Sequence, residues 1–319
     1  MDEFTLIKNY LQKLTKNNPS ALELNDDVFF DKKNKIVLSV DTYNEGVHYL
    51  NFKNPELIIK KVIRSSISDL VCKGVKPKYF LISCSGNKHQ FNKKNIKLIS
   101  KSINEEQKKY KIMLSGGDTT KSKISSFSIT TLGLSKKIVK RNNVKKNDDI
   151  YVTGNLGDSF IGLNILKKKI KINFKKNKYF INKYFLPDLP FILYKYLLKF
   201  ANSSIDISDG LFADLNKLIN RQRFGYIVDL DKIPISNNLK AYLKHSNSKL
   251  SNIISNGDDY QVLFTASKKK RRYIRKLAKR IKLKITNIGN TTNNYKQKKI
   301  ISCKKHSKSL IYDGYSHKF

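Results

Sequence analysis

Short segments that contain aspartate recur along this chain, most of them just after a predicted strand or inside a turn rich in Gly, Ser or Thr. The six segments are NDD at 25–27, SVDT at 39–42, SISDL at 66–70, SGGDTT at 115–120, IDISDG at 205–210 and NGDDYQ at 256–261. Each one alone is explained as a turn or a helix cap, because Asp favours both. Together they supply the oxygen ligands that Mg²⁺ prefers, and Mg²⁺ completes its shell with water and phosphate. The set therefore predicts a site that handles phosphate with several Mg²⁺ ions.

Asp206 and Asp209 lie three positions apart in the otherwise apolar stretch SIDISDGLFADL. Two like charges about 4 Å apart repel by roughly 4 kcal/mol at an effective dielectric of 20, so such a pair needs a compensating cation. Either a salt bridge or a metal ion could supply it. A simpler alternative is that Asp209 caps a helix whose Leu211, Leu215 and Leu218 form one apolar stripe.

The familiar catalytic motifs of other enzyme classes are missing from the sequence. It has no G-x-x-x-x-G-K-[ST] loop, no G-x-G-x-x-G before a helix, and no H-R-D with D-F-G. No Ser-His-Asp or Cys-His set can be assembled, and the five histidines include no H-E-x-x-H. We therefore expect no covalent catalytic residue, and we expect metal ions to neutralise the phosphate charge. In SGGDTT the glycines would let the backbone approach a phosphate.

The chain is strongly basic, with 64 Lys and Arg against 25 Asp and Glu and a formal charge of +39. Most of the cations are Lys and accompany many Asn and Ile residues, a mixture that AT-rich codons encode. Nucleotide bias thus explains the charge, and no groove-reading motif predicts a specific nucleic-acid partner. The densest basic segment, residues 268–282, places Ile274, Leu277 and Ile281 at helical spacing, as in an amphipathic helix with a solvated face.

The sequence predicts a cytoplasmic protein without a membrane span. Cys72, Cys84 and Cys303 form no C-x-x-C pair, which fits a reducing compartment. The N-terminus begins acidic and continues as a predicted amphipathic helix, so it lacks the order of a signal peptide. No segment reaches 18 uninterrupted apolar residues.

Strand and helix patterns alternate in both halves of the chain. We predict a strand ending at Asp41, a helix from Asn54-Pro55 to about Cys72, a helix at 91–110, and strands around YFLISCS, KIMLS and SSFSITTLGLS. After a basic linker near residue 140 we predict helices at 188–200 and 209–220, a basic helix, and strands at 226–230, 261–266 and 284–288. The polar run 168–183 is predicted to be a surface insertion. Two α/β domains, 1–138 and 139–319, follow.

The motifs SVDTYNEGVHY, SISDLVCKGVKP, SGGDTT, DDIYVTGNLGDS, IDISDGLFADL and NGDDYQVLFT occur in an order and spacing that closely resemble the thiamine-monophosphate kinase family. This family belongs to the aminoimidazole-ribonucleotide-synthetase-like superfamily, and the resemblance extends from the first Asp pair to the C-terminal GYSHKF. It implies a two-domain α/β (α+β) architecture of mixed sheets packed with helices. The N-terminal domain would bind ATP and Mg²⁺ and form a homodimer, and the C-terminal domain would complete the nucleotide and substrate site.

The resemblance also implies the reaction and its residues. The family transfers the γ-phosphate of ATP directly onto thiamine monophosphate, which gives thiamine diphosphate and ADP. The implied Mg²⁺ ligands are Asp27, Ser39, Val40 through its backbone, Asp41, Asp69, Asp118, Asp206 and Asp209. The implied ATP contacts are Gly117, Asp118, Arg141 and Ser208, and the implied substrate contacts are His48, Asp258 and Tyr315. Arg141 also stands out because this chain favours Lys, and Arg binds phosphate in a bidentate manner.

Three departures from the family pattern concern the site. Asn25 replaces the Gly of a GDD motif, NGDDYQ replaces GGEDYE, and Val40 stands where Thr is common. Two alternatives remain open at this point. One is another ATP-dependent synthetase of the superfamily, of the aminoimidazole ribonucleotide or selenophosphate type; the latter usually carries a reactive Cys near its N-terminus, and this chain has none before Cys72. The other is a basic polyanion-binding protein without catalysis.

Overall fold

The computed structural model describes residues 1–172, 174–219, 222–302 and 305–308. In this part of the chain the strands form two mixed β-sheets, of five and seven strands. The strands of the first sheet are β1 Phe29–Asp31, β2 Ile36–Asn44, β3 Pro77–Gly86, β4 Met113–Lys121 and β5 Ser126–Leu134. The strands of the second are β6 Asp149–Thr153, β7 Ser203–Asp206, β8 Gly225–Asp229, β9 Val262–Ala266, β10 Ile285–Thr292, β11 Lys298–Ser302 and β12 Lys305–Lys308.

The helices are distributed over both halves. They are α1 Glu3–Leu6, α2 Pro55–Cys72, α3 Lys93–Tyr110, α4 Asp158–Leu166, α5 Phe174–Phe185, α6 Leu211–Ile219, α7 Asn237–Lys244, α8 Leu250–Ile254 and α9 Arg271–Arg280. None of the helices described is both long and apolar enough to cross a membrane. The α/β architecture with mixed sheets that the sequence predicts is confirmed.

The first sheet has the order β1-β2-β5-β3-β4, and β4 is one of its edges. Strands β3 and β4 run parallel because α3 connects them as a crossover helix, whereas the other neighbours are antiparallel. In β2 and β5 buried and more exposed residues alternate, so one face of the sheet packs on α2 and the other faces outward.

Helix α2 is the central helix of the first sheet. Pro55 occupies its first turn, and Gly74 follows its end with a positive φ of 74°. Most of its residues are buried, including Ile59, Ile63 and Ile67, because the helix also contacts α3, α5 and β7. The element therefore touches both sheets and can carry groups to the space between them.

The second sheet has the order β12-β11-β8-β10-β6-β9-β7, in which only β11 and β8 are parallel. Its strands β6 and β9 are buried along their whole length. Strand β7 lies at the edge nearest to α2, to which it makes direct contact. The strands of the two sheets are separated in sequence between Leu134 and Asp149, and the domain division at 138 and 139 remains a prediction.

Three predicted elements differ from the structure. The polar run 168–183 contains most of α5, whose Phe180 and Tyr184 are fully buried, so this lysine-rich segment is part of the core. Residues 188–200 form only the 3₁₀ turns Phe191–Lys195 and Leu197–Lys199, because Pro190 and the apolar side chains Leu193 and Leu197 fix the segment against its neighbours. The predicted N-terminal helix is likewise broken into α1, a π-turn and a 3₁₀ turn.

Candidate active site

Four aspartates from separate parts of the sequence meet between α2 and the edge of the second sheet. Asp27 precedes β1, Asp41 lies in β2, Asp69 lies in the last turn of α2, and Asp206 ends β7. Carboxylate oxygens of Asp27, Asp69 and Asp206 lie within 4.8 Å of one another. Asp41 is hydrogen-bonded to Asp69, to which Ser39 also donates through its hydroxyl. We call Asp27, Asp41, Asp69 and Asp206 the aspartate cluster.

Burial makes the charged forms of this cluster unfavourable. It raises the pKa of Asp206 to about 7, and the charges of Asp214 and Asp41 add to the rise. Burial also raises the pKa of Asp69 well above its usual range, with a further contribution from Asp41 and Asp206, and it raises the pKa of Asp41. Three acids that resist ionisation at one point indicate a site whose electrostatics favour a bound cation.

Two basic side chains lie at one end of the cluster. Lys73 Nζ is 2.5 Å from Asp27 Oδ2 and 2.7 Å from Asp26 Oδ1. Arg141 forms an ion pair with the other oxygen of Asp27, and its backbone N–H donates to Asp26. The Arg141 Nε is buried and has no hydrogen-bond partner among the described residues. A guanidinium with an unused donor at a carboxylate cluster is suited to a phosphate oxygen.

Asp209 does not join the cluster. Its carboxylate pairs with Lys217, which also lies 3.1 Å from Asp214. The fully buried Asp214 accepts the backbone N–H groups of Asp209 and Gly210, so it fixes the turn that precedes α6. Lys217 thus supplies the compensating charge for Asp209, whereas Asp206 belongs to the buried cluster.

A second polar group connects two of the predicted substrate contacts. Lys61 Nζ lies 2.9 Å from Asp258 Oδ1 and 3.5 Å from the centre of the Tyr184 ring. The Tyr184 hydroxyl donates to the carbonyl of His48, whose Nδ1 accepts the backbone N–H of Asn44. His48 and Asp258, 210 positions apart in sequence, are therefore joined through α2 and α5.

The loop that carries Asp258 is held tightly against the turn that carries Ser208. A side chain at Gly257 would place its Cβ 1.6 Å from the Ser208 carbonyl, so only glycine allows this approach. The N–H of Asp258 donates to the same carbonyl at 2.9 Å. Asp258 itself has a φ of 69°, an uncommon conformation that the surrounding contacts impose. Ser208 thus contacts the Asp258 loop directly.

Helix α2 links the two groups through a polar stripe. Lys61, Ser65, Asp69 and Lys73 follow one another at intervals of four and lie on one side of the helix. Tyr43 links the sheet with the helix beside this stripe, since its hydroxyl contacts Asp41 at 3.2 Å and Ser66 at 3.1 Å. Sequence reasoning missed Lys61, Lys73 and Tyr184; for Lys61, its spacing of four residues from Ser65 and of eight from Asp69 was an available signal.

Asp118 and Gly117 lie elsewhere. Asp118 is paired across the sheet with Ser83, Ser83 with Ser128, and Ser128 with Thr42. Because neighbours in a strand point to opposite faces, Asp118 is on the outward face with Thr42, and Asp41 is on the other. Three steps between strands also separate them by about 14 Å. Asp118 is therefore not brought into the aspartate cluster within this chain.

The remaining sequence expectations concern the SGGDTT segment, Gly117, Val40, Tyr315 and Cys303. The SGGDTT segment continues the exposed strand β4 and is not the turn that the sequence indicated. Gly117 is required there for packing, because its Cβ would lie 1.9 Å from the Ile82 carbonyl. The Val40 side chain is 66% exposed on the outward face. Tyr315 and Cys303 lie outside the described residues.

Comparisons with known proteins identify the family. The sequence model described as AIR synthase related protein, N-terminal domain, matches residues 24–135. A thiamine-monophosphate kinase from Buchnera aphidicola subsp. Schizaphis graminum is 33% identical over 325 residues, which cover 99% of this chain and 98% of that protein. The chain belongs to the thiamine-monophosphate kinase family. A thiamine-monophosphate kinase from Aquifex aeolicus is 32% identical over 74% of this chain and 77% of its own length.

The fold of this chain also matches those of solved thiamine-monophosphate kinase structures. One described as AaThiL complexed with AMPPCP and TMP has a TM-score of 0.85 and 28% identity, and the match covers 99% of this chain and 97% of that one. The crystal structure of thiamine monophosphate kinase from Aquifex aeolicus has a TM-score of 0.81. These matches favour the kinase over the synthetase and polyanion-binding alternatives.

The donor set of this thiamine-monophosphate kinase family member fits Mg²⁺. The groups that converge are carboxylate and hydroxyl oxygens from the aspartate cluster and Ser39. No histidine is among the groups of potential metal ligands in the described part of the chain. Hard oxygen donors of this kind are the ligands that Mg²⁺ prefers.

Proposed function

We propose that this chain transfers the γ-phosphate of ATP to thiamine monophosphate and releases thiamine diphosphate and ADP. The single observation that carries the proposal is the convergence of four partly or fully buried aspartates, from four separate segments, in a chain of the thiamine-monophosphate kinase family. The acceptor is already an anionic phosphate at neutral pH and needs no strong base. The protein therefore contributes positioning and charge neutralisation.

The metal ligands are proposed to be the aspartate cluster, with Ser39 and the carbonyl of Val40 in support and Asp209 at a further position. Mg²⁺ bound there would neutralise phosphate charge and orient phosphate oxygens. The chain's own residues keep the carboxylates in place: Ser39 holds Asp69, and Tyr43 holds Asp41. Burial excludes water from these acids and strengthens their attraction for a cation.

The nucleotide is proposed to be bound by Arg141, Ser208, Gly117 and Asp118. Arg141 supports this role best, because its Nε is buried without a partner in the described structure and its side chain is 16% exposed. A guanidinium can hold two phosphate oxygens at once, so it would align the γ-phosphate for in-line transfer. Ser208 follows Asp206 by two residues, and its carbonyl accepts the backbone N–H of Asp258.

Thiamine monophosphate is proposed to be bound at His48 and Asp258, with Tyr315 as a further contact. The Asp258 side chain is 26% exposed, so its carboxylate can meet the positively charged thiazolium ring. Lys61 fixes that carboxylate from the buried side, and Tyr184 fixes the loop of His48. The phosphate of the substrate would then point along α2 toward the aspartate cluster.

A homodimer is proposed because the outward face and the edge of the first sheet are uncovered in one chain. Every residue of β4 is exposed, and an edge strand offers unpaired backbone groups to a partner strand. Val40, Leu134 and Met113 on this side are 66%, 52% and 48% exposed. Asp118 faces the same side, so a second copy is the means by which Asp118 would reach an aspartate cluster.

The decisive experiment is incubation of the protein with ATP, Mg²⁺ and thiamine monophosphate, with chromatographic identification of the products. We expect equal amounts of thiamine diphosphate and ADP, and we expect both to disappear with Asp206→Asn. Release of ADP without thiamine diphosphate would contradict the proposed acceptor. Absence of both products from a folded protein would contradict the whole assignment.

A further inference from the structure

Lys73 follows the last residue of α2, and its side chain is completely buried. Its ammonium lies 2.5 Å from Asp27 Oδ2 and 2.7 Å from Asp26 Oδ1, and it donates to the carbonyl of Ser204 at 2.8 Å. An ammonium group has three donors, and here each has an oxygen partner. A lysine with three oxygen ligands and no contact with solvent occupies the kind of position that a metal ion takes in other carboxylate clusters.

The charges around Lys73 are unbalanced. Asp26 and the four members of the aspartate cluster bring five carboxylates together. In the described part of the chain, the cations that form ion pairs with them are Lys73 and Arg141, and both act on the Asp26 and Asp27 side. Asp41, Asp69 and Asp206 form no ion pair with a described Lys or Arg. The opposite side of the cluster is therefore the side where divalent ions are needed.

Asp27 is engaged at both of its oxygens. Lys73 contacts Oδ2, and Arg141 contacts Oδ1. Any divalent ion that uses Asp27 must share it with two positive charges, which repel the ion over a short distance in a buried site. This arrangement limits how many ions the carboxylates of the site can hold.

We propose that the Lys73 ammonium is a built-in cation that takes the place and charge of one divalent ion at the Asp26 and Asp27 end of the aspartate cluster. The chain then binds one divalent ion fewer than its carboxylates could hold. The inference rests on the proposed function in one respect, the presence of a divalent-ion site in this cluster. Lys73 acts here as a positioning residue, since it orients Asp26 and Asp27 and does not reach the reacting phosphates.

The test is a titration of the full-length protein with Mn²⁺, in which free Mn²⁺ is measured by electron paramagnetic resonance. Lys73→Met removes the charge and keeps the length of the side chain. We expect Lys73→Met to bind one more Mn²⁺ per chain than the natural protein. We also expect it to lose thermal stability without divalent ions and to regain it when Mn²⁺ is added, because the ion fills the place of the ammonium.

Two further variants serve as controls. Lys61→Met removes another fully buried lysine of α2, whose partner is Asp258, and it should leave the number of bound Mn²⁺ unchanged. Lys73→Met with Asp26→Asn removes one carboxylate along with the cation and should return to the natural number of ions. Relative to Asp26→Asn alone, the double variant should bind Mn²⁺ at least tenfold more tightly.

The outcomes separate this inference from the function on which it rests. If the natural protein binds Mn²⁺ and Lys73→Met binds the same number with the same affinity, the role of Lys73 is wrong and the metal site stands. If the natural protein binds no Mn²⁺, both fail. If Lys73→Met folds only with Mn²⁺, the inference is supported. If it never folds, the test is the comparison of Asp26→Asn alone with Asp26→Asn plus Lys73→Met. Equal Mn²⁺ affinities of these two variants would overturn the proposal.

Discussion

The ammonium of Lys61 lies 2.9 Å from the carboxylate of Asp258, in a contact that forms an ion pair without hydrogen-bond geometry. Lys61 is fully buried in α2, and Asp258 lies on a loop of the second sheet's half of the chain. The contact therefore connects the two halves of the molecule at the proposed substrate site. It also predicts how that site responds to substitution.

Lys61→Met should weaken substrate binding more than it slows the reaction. Without the ammonium, Asp258 loses its fixed orientation, and Tyr184 loses the cation over its ring. We expect the KM for thiamine monophosphate to rise at least tenfold, with kcat within threefold of the natural value. Steady-state kinetics with varied thiamine monophosphate measures this, and Lys61→Arg should restore part of the affinity. An unchanged KM would show that Asp258 does not contact the substrate.

Asp206→Asn should abolish turnover and also change how stability depends on pH. Burial raises the pKa of Asp206 from 3.8 to about 7 in the metal-free protein. A carboxyl whose pKa is higher in the folded state than in the unfolded state stabilises the fold at pH values below its unfolded-state pKa. That contribution is lost as the pH rises to the folded-state pKa. When a chelator removes divalent ions, the free energy of unfolding should therefore fall between pH 4 and pH 7. The Asp206 carboxyl alone would account for at most about 4 kcal/mol of this fall.

The measurement is urea unfolding at several pH values with EDTA. In Asp206→Asn the decline with pH should be smaller, and added Mg²⁺ should reduce the decline in the natural protein. Asp31→Asn is the matched control, because the pKa of this exposed carboxyl is lowered by its hydrogen bonds with Asn34 and it does not titrate in this range. A decline that is identical in all three proteins would assign the effect to other groups.

Asp41→Asn and Asp118→Asn should complement each other if the proposed homodimer shares its active sites. Asp41 and Asp118 lie on opposite faces of the first sheet, so one complete site would take Asp41 from one chain and Asp118 from the other. Each variant alone should be nearly inactive. After denaturation and refolding of an equal mixture, half of the dimers are mixed and have one intact site, so about a quarter of natural activity should return.

The control is the same procedure with Asp41→Asn and Asp206→Asn, which lie in the same cluster and should not complement. Light scattering after size-exclusion chromatography should give a mass near twice the 36.9 kDa of one chain. A mass of one chain, together with full activity, would refute the dimer and the shared site.

Glu106→Gln should destabilise the fold strongly, because it breaks a buried ion pair between α2 and α3. Arg64 Nε and Nη2 each donate to a Glu106 oxygen at 2.8 Å, and both side chains are almost completely buried. Removal of one charge leaves the other buried and uncompensated, which costs about 3–5 kcal/mol. Denaturant unfolding measures the loss. The adjacent Glu105→Gln is the control, since its pair with Lys60 lies on the surface and should contribute nothing measurable.

The elements with strong local signals could be predicted from the sequence. Asn54-Pro55 and Gly74 mark both ends of α2, and the run KIVLSVD identifies β2, which continues beyond the predicted end at Asp41 to Asn44. Helix α5 was missed because its many lysines hide an apolar side, of which Phe180 and Tyr184, four residues apart, are the visible sign. Packing of these side chains against distant elements determines the structure of this segment, and the local composition does not reveal that packing.

The site could be predicted in part for a similar reason. The aspartate motifs identify candidate acidic ligands, but only the strand register decides on which face of the sheet each one lies. The pairing of β4 with β3 places Asp118 on the face of the sheet opposite to that of Asp41, and no feature of SGGDTT itself indicates this. Lys73 was equally hidden, because a lysine beside a glycine at the end of a helix is typical of a solvated helix end. Its burial results from β7, which is 131 positions away at Ser204.

The polar stripe along α2 sets a fixed distance between the proposed substrate site and the aspartate cluster. Lys61 and Asp69 are eight residues apart, and at 1.5 Å per residue the helix separates them by about 12 Å. A molecule anchored by its ring at Asp258, the proposed substrate contact, would reach the proposed metal ligands only if its phosphate lay at a matching distance. Thiamine without a phosphate would fill the ring position and leave the far end empty, so the length of a stiff helix would distinguish the two molecules.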